Sequence, residues 1–227
     1  MTSDSHARLA PLALSKGRIE ALSDGVFAIA MTLLVLELKI PDLPKDATQA
    51  ELLSKLKELL PHFYSYAMTF VLSGVFWVFH HFTFHFIRHT TRVLLWLNVI
   101  FMMFVSLLPF STHLMGDFMR HSVALMFYFG NQTVLALLLK AQWIYAQHAG
   151  ILEVKTDERW GRRLPIRINV LIFAYTAAFV TACFRPGYSQ NAFLLAIIAS
   201  FLFERVYNRR LVTLQSKTRL AEQTRPD

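Results

Sequence analysis

Arg18-Ile19-Glu20-Ala21-Leu22-Ser23-Asp24-Gly25 runs straight into Val26-Phe27-Ala28-Ile29-Ala30-Met31-Thr32-Leu33-Leu34-Val35-Leu36. A polar knot stands at the mouth of an apolar stretch. The stretch is long enough to help cross a bilayer, which needs roughly 20 mostly apolar residues per helix. Arg, Ser and Asp are costly there unless they find partners or a water-filled path. That cost makes this helix the first place to look for function.

The rest of the chain has the same character. It has 227 residues, 55% hydrophobic and only 17% charged. Soluble domains average roughly 45–50% apolar and about 25% charged residues. The mean hydropathy is +0.40, and the charges gather in short patches between long apolar runs. These features predict an all-α, polytopic membrane protein of one domain, spanning residues 1–210, with a charged cytoplasmic tail over 211–227. Closed β-barrels are excluded, because the apolar runs lack two-residue alternation. The formal charge of +8 does not point to nucleic acid, since the basic residues sit beside the apolar runs, as membrane topology requires. Residues 1–17 lack the apolar run of a signal peptide, so no processing is expected. A single cysteine, Cys183, allows no intrachain disulfide.

Six transmembrane helices are predicted, over residues 19–38, 62–85, 93–114, 122–145, 165–184 and 191–207. Pro41 and Pro44 stop the first. Pro109 should kink the third, because it removes one backbone N–H. With both termini in the cytoplasm, the outer loops hold only Lys39, Lys45, Lys55, Lys57, Arg120 and Arg185 of the 23 Lys and Arg. This bias sets the expected orientation: a multi-pass protein of the cell inner membrane with both termini inside. In the first outer loop, Leu52, Leu53, Leu56, Leu59 and Leu60 recur at helical spacing over 47–60, which predicts a short amphipathic helix at the outer surface.

Ile29, Leu33 and Leu36 are spaced i, i+4, i+7 and share one face of the first helix, with Thr32 on its border. Such a stripe is ordinarily a lipid-facing or packed surface. Arg18 is a candidate partner for the Asp24 charge, although alone it reads as a snorkelling interfacial cation. His80, His81, His85 and His89 form a histidine run at the end of the second span. Metal ligation or proton transfer would use such a run. The other histidines (His6, His62, His113, His121 and His148) are scattered singly, so hydrogen bonding by His80 or His81 to a neighbouring helix is the simpler reading. Asn98 needs interhelical partners, and the Trp77 indole seeks an acceptor when buried. No serine nucleophile with a base, cysteine–histidine pair, or nucleotide-binding glycine loop is present. No enzyme and no cofactor are expected.

The first helix resembles the signature of the transmembrane protein 175 family of lysosomal potassium channels, specifically its prokaryotic members. The matching residues are Arg18, Ser23-Asp24-Gly25-Val26-Phe27-Ala28-Ile29-Ala30 and Thr32-Leu33-Leu34-Val35-Leu36-Glu37. The likeness continues through Trp77, His80-His81-Phe82, Asn98 and Ser106-Leu107-Leu108-Pro109-Phe110. Leu22 stands where the signature has Phe. The resemblance implies a six-helix subunit in a homotetramer whose four first helices line a central pore. It further implies that Ile29 forms the narrow apolar ring, that Leu33 and Leu36 form outer rings, and that Thr32 offers hydroxyls to the ion. Arg18, Ser23 and Asp24 would then be tied to Trp77, His80 or His81, and Asn98.

The function expected is a passive, potassium-permeable cation channel with modest preference for K+ over Na+. Its partners are the lipid bilayer, K+ ions and its own copies. The alternatives are a proton-leak channel through the His80/His81 region and a membrane-embedded metalloenzyme using the His80–His89 run. A secondary transporter lacks the paired broken helices it would need.

Overall fold

The computed structural model describes residues 16–39, 42–153 and 159–199. The regular elements among the described residues are all helices. Helix α1 covers Lys16–Leu33 and tightens into a 3-10 turn at Leu34–Glu37; α2 covers Gln49–Glu58, α3 Leu60–His85 and α4 Arg92–Ser106. Helix α5 covers Leu108–Asp117, α6 Ser122–His148 and α7 Arg159–Phe184, and a 3-10 turn at Pro186–Tyr188 follows. A last helix, α8, is described over residues 189–199.

Five helical segments are long and apolar enough to cross a membrane among the described residues: Lys16–Leu36, Leu60–His85, Arg92–Asp117, Ser122–His148 and Arg163–Phe184. The sixth expected span, 191–207, coincides with α8 up to residue 199, and the remainder lies outside the described residues, as does the tail over 211–227.

Two boundaries differ from the sequence expectation, the end of the first span and the start of the fifth. The first span ends as a 3-10 turn rather than continuing as α-helix to 38. Within the third span α4 stops at Ser106 and α5 starts at Leu108, so the interruption expected near Pro109 is a single non-helical residue, Leu107. Pro109 is the cause. It sits in the first turn of α5, where a helix needs no N–H from it, and Leu107 N–H turns back to the Phe104 carbonyl at 3.3 Å. Asn131 Nδ2 from α6 donates to the same carbonyl at 3.3 Å, so the break is satisfied inside the bundle. The fifth helix starts at Arg159, with Pro165 inside it rather than at its head.

Helix α6 is the central post. Half of its span is buried, against 28% for α1, and it packs on α3, α4, α5 and α7. Phe76, Tyr128, Phe129 and Tyr175 fill the main core around it. Helix α1 instead leans on one side of the bundle, against α3, α4 and α5. Its other side is uncovered, and that asymmetry positions the site.

Helix α2 forms as expected from its leucine spacing. Thr48 caps it: Thr48 Oγ1 accepts from Glu51 N–H at 3.3 Å, and Glu51 Oε2 accepts from Thr48 N–H at 2.8 Å. This reciprocal box satisfies two otherwise orphaned donors. The Thr48 backbone N–H, and then its hydroxyl, hold the Glu51 carboxyl below its usual value. Leu52, Leu53 and Leu56 stay exposed in the single chain.

At the opposite end, the loop after α3 pairs with the loop after α6. Ile87 and Leu152 form an isolated antiparallel bridge. Arg88 N–H donates to the Ile151 carbonyl at 2.9 Å and Glu153 N–H to the Phe86 carbonyl at 2.7 Å. Nothing in the sequence pattern signalled this pairing, which closes 65 residues of chain at one point.

Candidate functional site

The two faces of α1 have opposite fates. Ile19, Ser23, Phe27 and Ala30 are buried against the bundle, and Leu34 continues the row into the 3-10 turn. Ile29 is 61% exposed, Leu33 42% and Leu36 67%. Ala21, Gly25, Ala28 and Thr32 are exposed with them. The uncovered face is therefore an apolar stripe edged by small residues.

The buried face carries a directional chain of hydrogen bonds. Ser23, His80 and Asn98 are all at most 2% exposed, so each needs a protein partner. His80 Nε2 lies 2.7 Å from Asn98 Oδ1. An amide oxygen only accepts, so His80 carries its proton on Nε2 when it makes this bond. Asn98 Nδ2 donates to Ser23 Oγ at 3.0 Å. Ser23 Oγ–H in turn donates to the Ile19 carbonyl one turn back at 2.9 Å. The chain runs from α3 through α4 into the backbone of α1, so three helices share one hydrogen-bond direction.

Aromatic packing closes around it. The His80 ring stacks on Phe101 (centroids 5.3 Å, 9°), and Phe27 tilts against both rings at 6.2 and 5.9 Å. Met102 Sδ lies 3.6 Å from Ser23 Oγ. Phe27, Phe101 and Met102 were not singled out as site residues from the sequence. Their helical spacing with Ser23 and Asn98 was the available signal: Phe27 lies four residues beyond Ser23, and Phe101 and Met102 lie three and four beyond Asn98.

Asp24 makes a second tie. Trp77 Nε1–H donates to Asp24 Oδ1 at 2.8 Å. His81, one turn further on α3, stacks on the Trp77 ring at 5.9 Å and is exposed. The structure thus brings together Ser23, His80 and Asn98, and separately Asp24, Trp77 and His81. Arg18 is left out of both groups. It is exposed, and no ion pair joins it to Asp24 among the described residues. The role expected of Arg18 as the partner of Asp24 is taken by Trp77.

Thr32 Oγ1–H donates to the Ile29 carbonyl at 2.9 Å. Its proton is spent on its own helix, and the residue is exposed, so the oxygen is left as an acceptor only.

The histidine run does not assemble. Helix α3 ends at His85, so His89 lies beyond the helix that would align it with His81 and His85. His80 points into the bundle, and the His85 carbonyl accepts from Lys16 Nζ at 3.2 Å. Among the described residues no group of three His, Cys, Asp or Glu is arranged to hold a metal ion.

The family model described as the endosomal/lysosomal potassium channel TMEM175 matches residues 18–109, which covers both hydrogen-bonded groups and the stripe. A potassium channel of Streptomyces collinus is 32% identical over 175 residues, covering 73% of this chain and 84% of the relative. A potassium channel of Chamaesiphon minutus is 33% identical over 196 residues, covering 85% and 90%. The crystal structure of a lysosomal potassium-selective channel TMEM175 homolog from Chamaesiphon minutus superposes with a TM-score of 0.69 at 31% identity, over 82% of this chain and 96% of that one. The family is one of ion channels, not of enzymes.

Proposed function

The chain belongs to the TMEM175 potassium channel family, and from that premise we propose that it conducts K+ passively through a pore lined by α1. The observation that carries this reading is the uncovered stripe of α1. An apolar helix face edged by Ala21, Gly25, Ala28 and Thr32 is suited to close approach of identical helices in a membrane, because small residues let backbones come together. Four copies around an axis would turn Ile29, Leu33 and Leu36 into stacked rings. This homotetramer sits in the cell inner membrane with both termini cytoplasmic, the side favoured by the Lys and Arg bias.

A narrow ring of isoleucine side chains stops ions by dewetting: apolar walls too close together exclude water, and an ion without water does not pass. A small dilation or rotation of α1 rewets it. The chain has no carbonyl filter of the Thr-Val-Gly-Tyr-Gly kind, so discrimination rests on partial dehydration at the ring. Sodium, the smaller ion, holds its water more firmly and passes less readily. Selectivity is therefore modest. Thr32 oxygens, whose protons are given to the Ile29 carbonyls, compensate part of the lost hydration.

The Ser23–Asn98–His80 chain and the Asp24–Trp77 bond act as a clasp in this reading. They fix the rotation of α1 about its axis, and so decide which residues face the pore. Arg18 supplies interfacial charge at the cytoplasmic mouth.

Reconstitution of the purified full chain in liposomes, with K+, Na+ and proton gradients imposed one at a time, tests the function. Flux driven by K+, smaller flux by Na+, supports it. Proton flux without K+ flux would overturn it in favour of a proton leak.

A further inference from the structure

Helices α3, α7 and α8 leave a cavity of about 590 Å3 between them. Leu72, Val75 and Phe79 of α3, Leu171 of α7, and Phe193 and Ile197 of α8 line it. Among the described residues on its wall, Arg167 of α7 is the one charged side chain, and the others are apolar. Leu171 and Phe193 are buried, whereas Val71 and Leu194 on the same wall are exposed. The cavity therefore opens sideways, out of the bundle. Helices α3 and α7 are both long and apolar enough to cross a membrane, so the opening meets the bilayer.

Its length and its charge both have a direction. Along α3 the wall runs from Met68 to Phe79, about 16 Å at 1.5 Å per residue. One leaflet contributes roughly 15 Å to a hydrocarbon core of about 30 Å. Arg167 lies one turn inside the Arg163–Phe184 span, where an arginine reaches toward the headgroups. Arg163, four residues earlier, shares its helix face and is half-buried. The charged residues of α7 are all arginines, at 159, 162, 163 and 167, and α3 and residues 189–199 carry no Asp, Glu, Lys or Arg. The three walls thus offer an anion cations at one end and no carboxylate anywhere. A peptide segment would bring backbone N–H and C=O groups that this apolar wall cannot pair. The stripe proposed to meet other copies is on α1, which packs on α3, α4 and α5; α7 and α8 are not among them.

We propose that this cavity is a binding site for an anionic phospholipid, with one acyl chain laid between α3 and α7–α8 and the phosphate held at Arg167. An acyl chain has no polar atom to satisfy, and it supplies the contacts that the apolar wall lacks when empty. A guanidinium presents a fork of N–H donors that matches two phosphate oxygens. Basic pockets between membrane helices on the cytoplasmic side take anionic headgroups for the same reason. With the termini inside, as proposed above, Arg167 faces the inner leaflet, and the placement of the lipid in that leaflet rests on that reading. The site also has a mechanical connection. Trp77 and His80 lie on the stretch of α3 that lines the cavity; Trp77 bonds Asp24 of α1, and His80 reaches Ser23 of α1 through Asn98. A lipid behind α3 supports the helix that holds α1.

The test is native mass spectrometry of the full chain in detergent, titrated with phosphatidylglycerol or with phosphatidylcholine of the same acyl chains. The natural protein should take up phosphatidylglycerol at about fivefold lower concentration, the preference expected from one basic residue at the headgroup. Arg167→Gln should bring the two lipids to equal uptake. Arg120→Gln, which removes the same charge from the loop between α5 and α6, should keep the preference. Val75→Trp fills the cavity and should lower uptake of both lipids; if it does not fold, Leu194→Trp at the exposed rim is read in the same way. Equal uptake of the two lipids by the natural protein overturns the site, as does an equal loss of preference in Arg167→Gln and Arg120→Gln. Undiminished phosphatidylglycerol uptake in the tryptophan variant overturns it too, by placing the lipid elsewhere. Lipid uptake is read without conduction, so a failure here leaves the channel reading standing, and absence of K+ flux leaves the lipid site standing.

Discussion

Trp77 donates its indole N–H to Asp24 at 2.8 Å, while Ser23, the residue before Asp24, takes the amide of Asn98 at 3.0 Å. Neighbours on one helix are thus held by different helices, α3 and α4. Consecutive residues on a helix point about 100° apart, so two such ties fix both the position and the rotation of α1. A single tie would leave α1 free to roll, and a roll of one residue would replace Ile29 by a different ring.

Asp24 should matter for assembly more than for ion preference. Asp24→Asn keeps an oxygen for the Trp77 N–H and should assemble normally. Asp24→Ala removes it, and should lower the yield of folded oligomer in size-exclusion chromatography. A normal Asp24→Ala oligomer with altered K+ over Na+ preference would instead make Asp24 an ion site.

Asn98 bridges two buried groups, so Asn98→Leu leaves both His80 N–H and Ser23 Oγ without their partner. Each such loss costs about 1–3 kcal/mol. Ser23→Ala leaves only one Asn98 proton unplaced and should cost less. Thermal melting of the detergent-solubilised protein should rank the natural chain above Ser23→Ala, and Ser23→Ala above Asn98→Leu. The reverse order would show that the chain is not a continuous tie.

At Thr32 the hydroxyl oxygen, not the side-chain volume, is the functional part. Thr32→Ser should retain K+ conductance, and Thr32→Val, which is nearly the same size, should reduce it. Equal currents in both variants would remove Thr32 from the ion path.

The α2 helix should fray in acid. Glu51 is held below its usual value by the Thr48 backbone and hydroxyl, so its contribution is present above the ordinary carboxylate value near 4.5 and is lost as pH falls through its lowered folded value. Hydrogen exchange of the α2 amides, corrected for intrinsic rate, should accelerate below that point in the natural chain. Thr48→Ala should be fast throughout, with no such step.

Much of this was legible in the sequence, because the signals are local. Apolar run length gave the positions of five described spans, leucine spacing gave α2, and the cost of burying Ser23 and Asn98 implied partners for them. Pro109 marked where the third span is interrupted, although its extent depended on Leu107 turning back to Phe104 and on Asn131 reaching across from α6. What stayed hidden depends on distant residues meeting. His62 and His113 read as scattered histidines, yet His62 meets Asp117 across a separation of 55 residues, where His113 reaches the same carboxylate from one turn away. Choosing between Arg18 and Trp77 as the partner of Asp24 likewise required the packing of α3 on α1, because nothing in local spacing favours a residue 53 positions away. The Ile87–Leu152 bridge has no periodic signature at all.

The central claim is that Ile29 forms the constriction of a K+ pore. Single-channel recording of Ile29→Asn beside the natural protein, in bilayers with K+ on one side and Na+ on the other, tests it most directly. A polar ring should stay wet, so the variant should show a larger unit current and a reversal potential shifted toward zero. Unchanged unit current and unchanged reversal potential would contradict the claim and place the constriction elsewhere.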